Sequence, residues 1–348
     1  MTSVADPAPK LEIAPLTAAH DAEWDALAGA SETSGFMQST AWAAFKRAEG
    51  YQTQRYCLHR DGHLIGGATV LYYGGGGAFL LCPDGPVLPW EDTATTRAGL
   101  RLLLEATRCD FPDTIGLRIE PRLPPGRQSV LQNWQRAPID LLPQHTRFID
   151  LTDEIPAMRA AMRPKGRYNL GLAERHGVTI RRSQEMADLN PFYTLFAETA
   201  RRQSFFAEPY GFFLNLGAAL LPERQATLYF AEWQGERLAA VLALFYGRRA
   251  TYLYGGSSLA HRNVMPCYPL HAAVMVDARH RGCQEYDLYG IDPFEHPDHP
   301  YAGISTFKRQ FGGRVVSYRG AQDHLFYDRL AERIAGRLGQ DRVAGAAK

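Results

Sequence analysis

The chain has 348 residues, of which 45% are hydrophobic and 22% charged, an ordinary globular composition but too long for the usual single domain, so two domains are expected. With 38 Lys+Arg against 37 Asp+Glu the formal charge is +1, which excludes a global basic field that would hold DNA; any polyanion has to be met by a local patch. Five cysteines without a C-x-x-C pair exclude a disulfide framework and read as reduced thiols of a cytoplasmic protein; the start "MTSVADPAPKLEIAPL" lacks the apolar run of a secretory signal, and no stretch reaches the roughly 18 apolar residues of a membrane span.

Taken in chain order, "YCLHRDGHLIGGATVLYYGG" from Tyr56 reads as a strand, a tight turn at Asp61-Gly62, a second strand and a glycine turn, followed by a third strand, "AFLLC". The run Gly74 to Gly77 is expected to be a hairpin turn, because no Lys-Ser/Thr helix start follows to make it a phosphate cradle. A helical segment, "TRAGLRLLLEATRC", and a strand, "TIGLRIEP", come next, and then a polar connector, "QRAPIDLLPQHTRF", with Pro138 and Pro143. These features place a first domain over 1–145 and a second over 146–319.

The second domain opens with a basic run from Met158, "MRAAMRPKGRYNLGLAERHGVTIRR", in which Arg159, Arg163, Lys165, Arg167, Arg175, Arg181 and Arg182 face only Glu174. Such density suits phosphate contacts without base readout, and equally a solvated helix face. Further on, "YFAEWQGERLAAVLALFYGR" from Tyr229 lies over the Tyr56 stretch without a gap at an offset of 173 (229 − 56). Tyr56/Tyr229, Gly62/Gly235, Leu71/Leu244, Tyr73/Tyr246 and Gly74/Gly247 coincide, and the same order of elements follows: "ATYLY", the helical "YPLHAAVMVDARHRG", then "EYDLYGI". The repeat implies a tandem duplication. A meander followed by helix and strand is similar to the GNAT acyltransferase fold, so the expected class is mixed α/β with two tandem GNAT-like domains.

Candidate chemistry narrows quickly. Acyl-CoA enzymes of that fold carry a glycine-rich pyrophosphate loop, yet "SSLAHRNVMPCYPLH" has no glycine and "CPDGPVLPWEDTATT" lacks the pattern, so no cofactor is expected. In "DPFEHPDHP" the residues Glu295, His296, Asp298 and His299 are metal-capable types, but the prolines preclude a helix that would align the histidines, and no metal is expected. No Ser-His-Asp or Cys-His arrangement stands out, and Cys267 has no evident partner histidine, so a covalent nucleophile is not indicated. Transfer of an already activated acyl group to an amine needs positioning and a cation for the oxyanion, and Lys308 in "GISTFKRQFGG" is the candidate. Read as a strand, that segment puts Phe307, Arg309 and Phe311 on one face and Lys308 and Gln310 on the other. Past Gly320, Leu325, Phe326, Leu330, Ile334 and Leu338 have helical spacing, and this 320–348 helix is expected to pack back onto the first domain, with membrane contact the weaker reading.

Together "QSTAWAAFKRAEGY", "LRIEPR", "KGRYNLGLAERHGV", "YLYGGSS", "YDLYGI" and "GISTFKRQFGG" resemble the FemABX family of non-ribosomal peptidyltransferases, in the family's order and over most of the chain. The resemblance implies an aminoacyltransferase that moves an amino acid from aminoacyl-tRNA to the side-chain amine of a peptidoglycan precursor's stem peptide, starting the interpeptide bridge. The acceptor would be UDP-MurNAc-pentapeptide or its lipid-linked form, met in the cytoplasm or at the inner face of the membrane. By motif match, Lys308 is the oxyanion cation, Phe307 an aromatic of the same site, and Glu120 a carboxylate of the cleft. Lys46, following Trp42, contacts the precursor's diphosphate, and Tyr254 and Tyr289 sit at strand ends facing the same region. The first domain would then bind the precursor and the second carry the catalytic lysine and the donor side.

Two departures from the family pattern matter. Glu208 stands where some members place a second diphosphate-binding arginine, leaving Arg201 or Arg202 to compensate. The helical arm some members use for tRNA is absent, which leaves that task to Arg163, Lys165, Arg167 and Arg175. A GNAT-like N-acyltransferase on another amine or small peptide, and a non-catalytic precursor- or tRNA-binding protein, remain as alternatives.

Overall fold

In the computed structural model, residues 10–72, 79–126, 129–296, 298 and 301–330 are described. The two tight turns form as two-residue hairpin turns: Asp61 (φ 51°) and Gly62 (φ 81°), and Gln234 (φ 49°) and Gly235 (φ 83°), all take left-handed backbone, which matches the twist of the flanking strands. Around them the chain runs β1 (Leu11–Pro15), α1 (Asp21–Ala30), α2 (Thr40–Ala48), β2 (Gln52–Arg60), β3 (His63–Tyr72), β4 (Phe79–Pro83), α3 (Thr93–Asp110), β5 (Gly116–Glu120), β6 (Gln135–Arg136) and β7 (His145–Asp150). It continues through α4 (Ile155–Ala161), α5 (Pro164–Arg175), β8 (Thr179–Ser183), α6 (Leu189–Gln203), α7 (Tyr210–Leu220), β9 (Ala226–Trp233), β10 (Glu236–Tyr246), β11 (Arg249–Ser257), α8 (Cys267–His280), β12 (Glu285–Gly290), α9 (Ala302–Arg309), β13 (Arg314–Ser317) and β14 (Gln322–Leu325).

The strands form two seven-stranded sheets, ordered β1-β2-β3-β4-β5-β14-β6 and β13-β7-β12-β11-β10-β9-β8. Each contains an antiparallel meander whose last strand pairs in parallel with a strand reached through a crossover helix: β4 with β5 through α3, and β11 with β12 through α8. The duplication extends to one side-chain device that the sequence match missed. Tyr56 donates its hydroxyl to Asp110 Oδ2 at 2.7 Å, and Tyr229 donates to Asp277, each aspartate lying on the crossover helix of its own repeat. The aspartates do not share the tyrosines' offset, so the sequence overlay could not pair them.

The chain divides into two compact units. One comprises Met1–Gln38, Gly50–Leu142 and Gly320–Lys348; the other comprises Ser39–Glu49 and Pro143–Arg319. The first packs Tyr56, Leu58, Val70, Leu80, Leu100 and Leu117 into its core, and the second packs Tyr229, Val241, Val274, Tyr286, Leu288 and Phe311. Residues 39–49, expected within the first domain, fall with the second unit because Phe45 meets Phe212 edge to face at 5.0 Å and Asn215 donates to Glu49 Oε1 at 2.7 Å. The longest helix among the described residues has 18 residues, none is long and apolar enough to cross a membrane, and no helical arm leaves the second unit.

Two local expectations fail. "GISTFKRQFGG" is the helix α9 rather than a strand. Phe307 and Phe311 fit a period of two over this short span, but they fit i,i+4 as well, and their rings meet at 5.2 Å. Gly312 (φ 82°) then ends the helix, its N–H donating to Arg309 O. Leu325, assigned to a C-terminal helix, lies in β14 and pairs with Gly116 of β5. The chain turns helical only at Tyr327, and Ile334 and Leu338, like the Gly74–Gly77 turn and His299, lie outside the described residues.

Candidate active site

The geometry that matters begins with a short ladder. β11 and β12 pair in parallel only from Arg249↔Glu285 to Thr251↔Asp287, so Tyr252–Ser257 on one strand and Leu288–Gly290 on the other continue beyond it. Against β7, β12 gains one residue: Asp287 faces Phe148, but Gly290 faces Thr146. This bulge puts Tyr289 in left-handed backbone, φ 61°, an uncommon conformation for an aromatic residue.

Lys308 reaches this place from α9. It is 5% exposed, its Nζ donates to the Gly290 carbonyl at 2.7 Å, and it lies 5.5 Å from the centre of the Tyr252 ring. His271 of α8 completes the surroundings, with Nδ1 2.8 Å from the Tyr286 hydroxyl and its ring against Tyr252, Phe307 and Phe311 at 4.7, 5.4 and 4.8 Å. Burial lowers Lys308 to about 7, opposed by the Asp287 carboxylate, which favours the charged form. Burial, helped by the Lys308 charge, lowers His271 to about 3, so the imidazole is neutral. An ammonium has three N–H donors, and one is committed to Gly290, leaving two for an oxyanion. His271 and Asp287 were not singled out from the sequence; the signal was a charged or titratable residue inside each of two otherwise aromatic and aliphatic runs, "YPLHAAV" and "YDLYG".

Other expected site residues have less uniform surroundings. Phe307 is half-buried and packs on Tyr268 at 5.3 Å. Tyr289 sits on the bulge. Tyr254 is enclosed by Phe196, Phe212 and Phe213, and burial, with Glu208 and Glu49 nearby, pushes its hydroxyl pKa up. Those carboxylates also face Lys46, whose pKa burial lowers and both glutamates raise; Glu208 in turn is raised by burial against the pull of Lys46. Lys46, Glu49, Glu208 and Tyr254 are thus electrostatic neighbours. Trp42, 5% exposed, stacks edge-on with Phe45 at 4.8 Å and supports α2.

Neither arginine offered in compensation for Glu208 is among the charges that act on Lys46, Glu208 or Tyr254. Arg202 donates to the Ser257 carbonyl at 2.9 Å and ties down the end of β11, while Arg201 is exposed with its Nε 3.4 Å from Ala197 O. In the basic run, Arg159 forms a two-bond pair with Glu174 and Arg167 donates to Ala160 O and Met162 O, so those cations serve the fold. Arg175 lies over Tyr168 at 5.9 Å, and Arg163 and Lys165 are exposed at the start of α5.

In the other unit Glu120 ends β5, 3% exposed, and accepts from the Leu141 and Leu142 amides at 2.7 and 3.1 Å. Burial outweighs those bonds and raises its carboxyl to about 7. Burial also pushes the Cys267 thiol up to about 11, away from thiolate nucleophilicity. Among the described residues no group of three or more His, Cys, Asp or Glu could hold a metal; Glu295 pairs with Arg309 and His296 with Asp292.

Known proteins resemble the chain across both units. A family described as acetyltransferase (GNAT) domain matches residues 161–309. A lipid II:glycine glycyltransferase of Staphylococcus saprophyticus is 21% identical over 390 residues, covering 88% of this chain and 91% of its own, and its Staphylococcus aureus counterpart is 21% identical over 406 residues, covering 92% and 96%. Among solved structures, FemX superposes with a TM-score of 0.83 at 20% identity, covering 93% of this chain and 99% of FemX. A tandem GNAT protein from the clavulanic acid pathway gives 0.51 at 14% identity, covering 90% and 98%. The architecture is therefore a tandem GNAT one, and over most of its length the chain is similar to FemX and to the lipid II:glycine glycyltransferases.

Proposed function

We propose that the protein moves an amino acid from aminoacyl-tRNA to the side-chain amine of a peptidoglycan precursor's stem peptide, beginning an interpeptide bridge. The observation that carries this reading is Lys308, a buried cation with spare donors where the β11/β12 ladder ends. The acceptor amine attacks the ester carbonyl, and the carbonyl oxygen becomes an oxyanion held by the Lys308 ammonium. Collapse forms the amide and expels the ribose oxygen, which takes up a proton as the new amide nitrogen loses one. Glu120, with a carboxyl near 7, is the first unit's candidate for proton exchange at neutral pH. Lys46 is assigned to the acceptor's diphosphate, with Trp42 and Tyr254 shaping its surroundings, and Arg163, Lys165 and Arg175 to donor phosphates. Precursor binding then draws on the second unit, which holds Lys46.

The relatives' names make lipid II the first acceptor to test and glycine the first amino acid, with the inner face of the membrane as the place of action. The acyl-CoA alternative is weakened at α8. There Pro266 and Pro269 supply no N–H and the Tyr268 amide is spent on Met265 O, so a pyrophosphate would find few of the donors it needs. Incubation with a mixed charged-tRNA pool and either UDP-MurNAc-pentapeptide or lipid II, read by mass spectrometry, tests the proposal. An added aminoacyl mass on the stem peptide is expected. No added mass with either acceptor, alongside transfer from an acyl-CoA, would overturn it.

A further inference from the structure

Asp287 is fully buried, with 0% exposure, between Tyr286 and Leu288 of β12, where an ionised carboxylate is costly unless its oxygens are satisfied. Its Oδ1 accepts from the Thr146 hydroxyl and, at 2.8 Å, from the Tyr289 amide. The second bond spans two residues, the Asx-turn pattern by which an aspartate shapes its own backbone. Here it braces Tyr289 in its left-handed conformation, at the one extra residue β12 carries against β7. The first bond clamps the same bulge to Thr146, the residue that faces Gly290. The next carbonyl along, Gly290, is the one that receives Lys308 Nζ. Gly290 is itself confined: a Cβ there would lie 3.0 Å from Tyr301 and 3.2 Å from Pro143.

We propose that Asp287 is a positioning residue for Lys308: its carboxylate fixes the β12 bulge that presents the Gly290 carbonyl to Nζ, and its charge is the counter-charge of the ammonium. From β11 the ammonium faces the Tyr252 ring; from α8 it faces neutral His271, whose Nδ1 is engaged with Tyr286 of β12; from β12 it feels Asp287. The inference rests on the assignment of Lys308 to the reaction, but its test does not use turnover.

Asp287→Asn retains volume and an oxygen acceptor for the Tyr289 amide while removing the charge. The chain has five lysines, so their side chains can be followed singly by NMR after specific labelling. Burial lowers Lys308 to about 7 in the wild type; in Asp287→Asn the midpoint is expected to fall by one pH unit or more below the wild-type one, with the other lysines unmoved. An unmoved Lys308 midpoint would overturn the proposal. Should Asp287→Asn fold poorly, a thermal double-mutant cycle with Lys308→Met decides: the loss of Tm caused by Asp287→Asn should shrink or reverse in the Lys308→Met background, and an equal loss in both backgrounds would reduce Asp287 to a structural carboxylate. Turnover of Lys308→Met separately tests the role of the lysine, so the two failures are distinguishable.

Discussion

Lys308 is held at a cost to the fold. Its folded value of about 7 lies far below the ordinary 10.5, so between these values the unfolded chain keeps a proton that the folded one releases, and stability rises with pH across the window. The span corresponds to about 5 kcal/mol between the two limits, fully lost below pH 7 and recovered above 10.5. Lys308→Met should therefore unfold at a higher temperature than wild type at pH 6, with the difference shrinking toward pH 10; a wild-type stability that is flat over this range would contradict the assignment. Burial also lowers Lys46, against the negative charges of Glu49 and Glu208. If Lys46 meets a diphosphate, Glu208→Gln should lower KM for a diphosphate-bearing acceptor by about three- to tenfold, as expected for removing one nearby like charge, without changing KM for a stem peptide lacking the diphosphate. At the level of single residues, motif order singled out Lys308, Lys46 and Glu120 as candidates. It did not single out His271 or Asp287, because what distinguishes them is their burial within the electrostatic reach of Lys308, which depends on chain segments distant in sequence.

Among the elements, α9 shows why a motif can be found and its local structure misjudged. Over five residues an aromatic, cationic, aromatic pattern satisfies both a two-residue and a four-residue repeat, and the deciding signal was the Gly-Gly pair that follows. Gly313 has φ 71°, and a Cβ there would sit 2.1 Å from the Phe148 carbonyl oxygen. Gly313→Ala should cost more than ~2 kcal/mol by urea denaturation, and because β13 starts at the next residue the damage should also disturb α9 and the Lys308 titration. A loss below ~0.5 kcal/mol would mean that the chain ends α9 in some other way. The hairpins, by contrast, were legible because Asp-Gly and Gln-Gly at matched positions specify a turn with little dependence on tertiary context.

For the whole molecule, the tandem repeat was readable from order and spacing, while the assignment of residues 39–49 was not. A short helix takes its allegiance from the aromatic surface it covers, here Phe212 of α7, which lies more than 160 residues away in sequence. The return of Gln322–Leu325 as a strand of the first sheet was hidden for the same reason, since four residues carry too little periodicity to separate strand from helix. Acyl transfer to an amine assisted by the Lys308 cation is read out by the single-turnover rate of aminoacyl transfer from charged tRNA to saturating acceptor, wild type against Lys308→Met and Lys308→Arg, from pH 6 to 9. The wild-type rate should show an alkaline limb near 7, Lys308→Met should lose at least about a hundredfold, in line with removal of an oxyanion donor, and Lys308→Arg should keep partial activity without that limb. Transfer by Lys308→Met at the wild-type rate would contradict the role of Lys308.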